Sequence, residues 1–241
     1  MAQHISRKEL KKDEVRETLA HGAEALLSHK QGTTYILIVA IILALAFLGW
    51  RTYTTKQTAN AAAAFNTAMH TFEAPTSTTP GAPPVPGVQT FSDDVAKYTA
   101  AAQQFEAVAK KYSRTGPGQL ATYYAGLCLE QTGKNDDAKK YLQSATKGND
   151  AGYVSLAKFE LAKVYDKTGQ PEQAAKLYEE LIAKPTVLVP KPVAMLALAQ
   201  HYRAKDPAQA AKLYSDIKSQ YPDTAIADEA GQELALLPGK S

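Results

Sequence analysis

Residues 161–178 read LAKVYDKTGQPEQAAKLY, and the fold turns on this stretch. Leu161-Ala162-x2-Tyr165 leads to Gly169, and Ala174-x3-Tyr178 follows after four intervening residues. Small residues on a helix face let a second helix approach closely, and the tyrosines fill the gap that remains. The second half of the pattern recurs as Ala101-x3-Phe105, Ala138-x3-Leu142, Ala174-x3-Tyr178 and Ala210-x3-Tyr214. Successive alanines lie 37, 36 and 36 residues apart. Self-similarity at such a period marks stacked helix pairs. Gly126, Gly133, Ala138 and Ala145 occupy the matching places in one neighbour, and Tyr202, Ala210, Tyr214 and Pro222 do so in another. The ends also rhyme: Phe105 and Tyr112, like Tyr214 and Tyr221, are seven residues apart.

These units resemble tetratricopeptide repeats (TPRs), helix–turn–helix units of about 34 residues. Two departures mark them as degenerate. The place usually held by Trp carries Thr122 or Lys158, and the period is 36. The resemblance implies a TPR-like α-solenoid of about four helix-turn-helix units; together with the apolar stretch Gln31–Trp50, the expected fold is all-α, a single transmembrane helix followed by that solenoid. Helices are expected near 57–73, 93–112, 117–132, 135–147, 152–168, 171–183, 191–203, 206–219 and 224–236. Gly133, Gly148 and Gly169 stand at breaks, and Pro171 and Pro207 suit first-turn positions. The first unit is split, with its first helix at 57–73, its second at 93–112, and a proline-rich insert between them. The last helix, with Leu234, Leu236 and Leu237, is expected to cap the stack.

Upstream, Gln31–Trp50, QGTTYILIVAIILALAFLGW, carries no charge over twenty residues and is bracketed by Lys30 and Arg51. At about 1.5 Å per residue, a helix of this length crosses a hydrocarbon core of roughly 30 Å. Ten strongly apolar side chains from Ile36 to Leu48 favour insertion by about 3 to 6 kcal/mol. Tyr35 and Trp50 place amphipathic rings at the two ends. Six basic residues precede the span (Arg7, Lys8, Lys11, Lys12, Arg16, Lys30), and two, Arg51 and Lys56, fall in the twenty residues after it. The positive-inside rule puts the N-terminus in the cytoplasm and the repeats outside. The expected address is the cytoplasmic (inner) membrane, single-pass, with the repeats in the periplasm. Ala59-Asn60-Ala61 has the form of a signal cleavage site, but it lies nine residues beyond the apolar run, so a retained anchor is expected.

The remaining segments divide the chain further. Residues 1–30 read either as a cytoplasmic amphipathic helix, with Ser6-Arg7-Lys8-Glu9 as a capping box, or as a solvated segment that only sets topology. Residues 51–73, rich in Ala and Gln, form a membrane-proximal helix able to continue the span to about Phe72. Residues 74–91 contain PTSTTPGAPPVPG and form a flexible Pro-rich loop. Residues 92–241 hold the repeats. Beyond residue 56 there are 19 Lys+Arg and 19 Asp+Glu, so no charged stripe points to nucleic acid. Cys128 is the only cysteine and reads as a small buried hydrophobe.

Catalysis finds no support. His70 and His201 are isolated, and no Ser-His-Asp order, phosphate-cradling glycine loop or clustered carboxylates are present. No cofactor, metal or small-molecule substrate is expected. By resemblance to TPRs, the first helix of each unit lines a concave groove. Its groove-facing positions map to Tyr123, Leu127 and Glu130, then Phe159, Lys163 and Asp166, then Leu196, Gln200 and Arg203. Tyr123, Phe159 and Leu196 fall at one repeated site; they form either an apolar row for another protein's segment or inter-repeat core. A cytoplasmic basic–acidic segment, one span ending in Gly49-Trp50-Arg51, an Ala-rich helix and degenerate TPRs together resemble the ancillary subunits of the SecYEG translocon. That resemblance implies translocon subunits, periplasmic chaperones and newly exported chains as partners. A scaffold of another envelope machine, for cell division or outer-membrane assembly, is the alternative, and a cryptic hydrolase is a third reading that needs a polar cluster the sequence does not show.

Overall fold

The structure, a computed structural model, describes residues 30–76 and 90–237. The expectations for residues 1–29 and for 77–89 lie outside the described residues. Among the described residues there are nine helices and no strand: α1 Lys30–Phe72, α2 Asp94–Lys111, α3 Gly116–Gln131, α4 Asn135–Ala145, α5 Ala151–Lys167, α6 Pro171–Ala183, α7 Lys191–Tyr202, α8 Pro207–Gln220 and α9 Ala225–Ala235. The chain divides into two compact units between Lys56 and Gln57. The protein is all-α, with one long apolar N-terminal helix and a TPR-like solenoid.

In the first unit, α1 exposes its apolar side chains on every side, Leu37 at 63%, Leu43 at 65% and Phe47 at 65% among them. Among the described residues it is the one helix long and apolar enough, by length and composition, to cross a membrane. Just past Trp50 the hydroxyls turn inward. Thr52 Oγ1 donates to the carbonyls of Leu48 and Gly49 at 2.9 Å, and Thr55 Oγ1 donates to that of Arg51 at 2.8 Å. Such back-bonding satisfies a hydroxyl without water.

In the second unit the helices pair in sequence: the 57–72 part of α1 with α2, then α3 with α4, α5 with α6, and α7 with α8, closed by α9. The residues that define the period are its centre. Ala101, Ala138, Ala174 and Ala210 are fully buried, as are Phe105, Leu142 and Tyr214, with Tyr178 nearly so. The first helix of the first repeat reaches this core through rings, with Phe65 and Phe72 both packing against Phe105 and Tyr124. The two sides of the proline-rich insert meet where Thr76 bridges to Phe91 and the Phe91 N–H donates to Pro75 O at 3.2 Å.

Local chemistry sets the boundaries. Asp93, Thr115, Asp150, Asp206 and Thr224 each accept a backbone N–H at a helix start, a cap worth typically ~1 kcal/mol. Gly133 and Gly169 end α3 and α5 with φ of 75° and 72°. Lys134 N–H donates to Leu129 O and Gln170 N–H to Tyr165 O, both at 2.9 Å. These six-to-one bonds close the last turn and require the left-handed residue between, which glycine adopts without strain.

Gly126 has a different task. A Cβ there would lie 2.7 Å from Leu142 Cγ and 3.2 Å from the Leu142 backbone nitrogen, so hydrogen alone lets α3 and α4 meet. Gly126→Val is expected to destabilise the protein by about 1–3 kcal/mol through overpacking. Thermal unfolding measures this, with Gly231→Val as control, because a Cβ there meets only Lys218 at 3.5 Å or more.

Candidate protein-binding groove

The first helices α5 and α7 lie side by side and enclose an open cleft of about 630 Å³. Phe159, Lys163, Asp166 and Lys167 line it from α5, and Ala197, Gln200 and His201 from α7, with Tyr178 in the floor and Lys205 beyond the helix end. Asp150 accepts from Tyr153 N–H at 3.0 Å and starts α5, while Pro190 and Pro192 bracket the start of α7. Phe159 and Tyr178 pack edge to face, their centroids 5.9 Å apart. Burial, followed by the carboxylates of Asp166 and Glu160, pushes the Tyr178 hydroxyl well above the ordinary tyrosine range.

Charge in the groove is arranged in pairs that cross the repeats. Glu130 on α3 is buried and binds Lys167 on α5. Asp166 Oδ1 on α5 sits 2.6 Å from His201 Nδ1 on α7, a ring whose side chain is 4% exposed. Arg203 reaches Glu233 on α9 at 2.9 Å, and Gln200 donates to Glu229 at 3.4 Å. Lys163 pairs along its own helix with Glu160 at 2.7 Å. Neighbouring first helices are thus pinned to one another by side chains at their C-terminal ends. The carboxylates of Glu130 and Glu160 lie inside, at 3% and 14% exposure, while the lysines that hold them lie outward at 56% and 42%. Lys205 has no carboxylate partner among the described residues. The groove therefore offers ammonium groups, an amide and the partly exposed, His201-paired carboxylate of Asp166 around an aromatic floor, which suits a polypeptide segment with polar or acidic side chains.

The cleft brings together Phe159, Lys163, Asp166 and Gln200 from the expected set. Tyr123 and Leu196, 8% and 9% exposed, belong to the core between repeats. Leu127 is partly buried against that core. Glu130 is buried under Lys167, and Arg203 lies outside the lining, tied to Glu233. Lys167, Tyr178, Ala197, His201 and Lys205 were not read from the sequence. On α7 the cleft takes Ala197 in place of the expected Leu196, and His201 beside the expected Gln200. The expected positions step by 37 residues from Phe159 to Leu196, whereas the lining steps by 38, from Phe159 to Ala197 and from Lys163 to His201; the connection into α7, seven residues against five between α4 and α5, lengthens the step. The spacing of four that joins Phe159, Lys163 and Lys167 also joins Ala197, His201 and Lys205, and that repeated step was the available signal.

A second cleft of about 340 Å³, largely apolar, lies between the 57–72 part of α1 and the N-terminal turns of α3 and α5. Phe65, Leu120, Tyr123, Tyr153 and Val154 line it, with Asp150 at its edge. None of these except Tyr123 was expected at a site.

Comparison with known proteins places these repeats. The chain resembles solved TPR-like repeats from Podosopora anserina, at 17% identity over 58% of this chain and 76% of that one, with a TM-score of 0.49. A single-substitution form of the same protein matches at the same identity and coverage with a TM-score of 0.50, a likeness of fold alone. Comparison with curated proteins gives no match. The tetratricopeptide repeat profile matches residues 159–225. The profile of the tetratricopeptide repeat-like domain matches residues 28–186, from the apolar helix through the third helix pair, and the chain belongs to that family.

Proposed function

We propose that this chain is a membrane-tethered, non-enzymatic adaptor that holds segments of other proteins in the α5–α7 groove. TPR domains generally bind other proteins, and the fold is typically a scaffold without catalytic activity. In this reading α1 crosses the cytoplasmic membrane between about Gln31 and Trp50, with the N-terminus in the cytoplasm and the repeats in the periplasm. The working partners are the Sec translocon and the chains it exports.

One observation carries the reading. A single family profile spans residues 28–186, covering both the apolar helix and the first repeats, which supports reading anchor and binding domain as one unit. The excess of basic residues before the apolar run supports the orientation. Phe159, Lys163, Asp166 and Gln200 are the contact residues proposed, joined by Lys167, His201 and Lys205.

A photoreactive amino acid in place of Phe159 tests the partner. Crosslinking in intact cells is expected to recover translocon subunits or newly exported chains. Recovery only of cell-division or outer-membrane assembly proteins would refute the Sec assignment and leave the anchored scaffold standing.

A further inference from the structure

Outside α1, the exposed large apolar side chains of the described residues are few, and three of them cluster. Tyr153 is 41% exposed, Val187 94% and Leu188 46%. Leu188 lies against the backbone of Gly152, where a Cβ would come within 3.0 Å of its Cδ1. Tyr153, the next residue, is a wall of the apolar cleft. Knob and hole therefore share one patch.

The loop that carries the knob, residues 184–190, is braced. Thr186 N–H donates to Val189 O at 3.1 Å, and Val189 N–H donates back to Thr186 Oγ1 at 3.1 Å. Ser155 and Thr186 hydroxyls meet at 2.6 Å, Val189 is 1% exposed, and Pro185 and Pro190 stiffen both ends. Val187 is thus held out into solvent on a loop with little freedom to lose on docking. Charges match as well. Lys184 and Lys191 flank the knob, and among the described residues neither has a carboxylate partner, whereas the one ionised side chain of those residues that lines the cleft is Asp150.

We propose that the cleft between α1, α3 and α5 receives the Val187–Leu188 knob of a second copy of this chain, forming a two-fold dimer. A two-fold interface uses the same patch on both copies, so each dimer forms the knob-in-hole contact twice. Each copy's Lys184 and Lys191 approach the other's Asp150. An unrelated partner would need both an apolar segment for the hole and a hole for the knob; a second copy supplies both. The surface is separate from the α5–α7 groove and does not depend on its occupant.

Cysteine crosslinking on the full chain in detergent micelles tests the dimer. Cys128 is buried and its thiol is pushed up to about 12 by burial, so introduced thiols react alone. Val187→Cys combined with Asn66→Cys, on the cleft edge, is expected to give a disulfide-linked dimer under mild oxidation. Val187→Cys combined with Ser219→Cys, on exposed α8, is the control. Val187→Asp should raise the dimer dissociation constant by about a hundredfold, because the contact is lost twice, and should leave the helical circular dichroism unchanged. Light scattering reads this as a shift from dimer to monomer. Crosslinking no stronger than the control, or a wild-type chain that is monomeric at every concentration, would each overturn the proposal.

Discussion

Phe105→Ala is expected to lower the unfolding free energy by about 3–5 kcal/mol, the range for removing a fully buried phenylalanine. Phe105 is fully buried and is the hub of an aromatic cluster. Its ring stacks on Tyr124 at 5.2 Å and meets Phe65 at 5.5 Å and Phe72 at 6.3 Å. It therefore joins α1, α2 and α3, and its loss opens a cavity that backbone movement cannot fill without breaking the Ala101 and Ala102 contacts beside it. A urea slope of about 2 kcal/mol per molar would turn this into a midpoint shift near 2 M. Because each repeat touches only its neighbours, the damage should stay local. Hydrogen exchange should speed up in α2 and α3 while α8, built around Tyr214, keeps its protection. Val95→Ala, at a site 59% exposed, should change stability by less than about 0.5 kcal/mol. A loss below ~1 kcal/mol at Phe105, or equal loss of protection in α8, would mean that the first helix pair is not held through this ring.

Much of that arrangement is legible before any coordinates. The pairs of Ala with a large apolar residue four positions on (Phe105, Leu142, Tyr178, Tyr214) are the buried heart of each repeat because a first helix can approach only where the second presents alanine, and the gap beside it admits one large side chain. Gly133 and Gly169 mark turns because a left-handed residue is needed there. The split first repeat is legible because Ala101-x3-Phe105 marks a second helix whose partner must lie on the far side of the proline insert, at 57–73, and Phe65 and Phe72 from that helix pack against Phe105.

The binding surfaces are harder to read. A period locates first helices but not their rotation, and the longer connection before α7 makes the step from Phe159 to Ala197 38 residues where 37 is expected. Tyr123 and Leu196 look like groove residues by spacing, yet they turn into the core, where large side chains at that position are needed between repeats. The pairs Glu130–Lys167 and Asp166–His201 join residues 37 and 35 apart. Nothing local ties them, since their meeting depends on how neighbouring repeats stack. The apolar cleft was invisible for a related reason: one wall comes from residues 62–66, separated from the others by the insert.

Arginine at both Ile42 and Leu43 is expected to abolish membrane association. The two side chains are 58% and 65% exposed, so they contribute little to packing within the chain and any effect reports on their surroundings. The ten apolar residues of the span favour insertion by about 3 to 6 kcal/mol, whereas each arginine near the helix centre costs about 2.5 to 3.5 kcal/mol. Two of them cost about 5 to 7 kcal/mol and remove two favourable residues as well, so the balance changes sign. Tyr35 and Trp50 can hold ring positions at the interface but cannot offset charges seven or eight residues inside. After alkaline carbonate extraction, the natural chain should stay in the membrane pellet and the doubly substituted chain should move to the supernatant. The repeats should be unaffected, because their three core clusters contain no residue before Ala61, and helical signal and unfolding midpoint of the released chain check this. If α1 were instead buried against another protein, the natural chain would itself be released by carbonate. Retention of the substituted chain in the pellet, still extractable only by detergent, would show that something other than this helix holds the repeats to the bilayer.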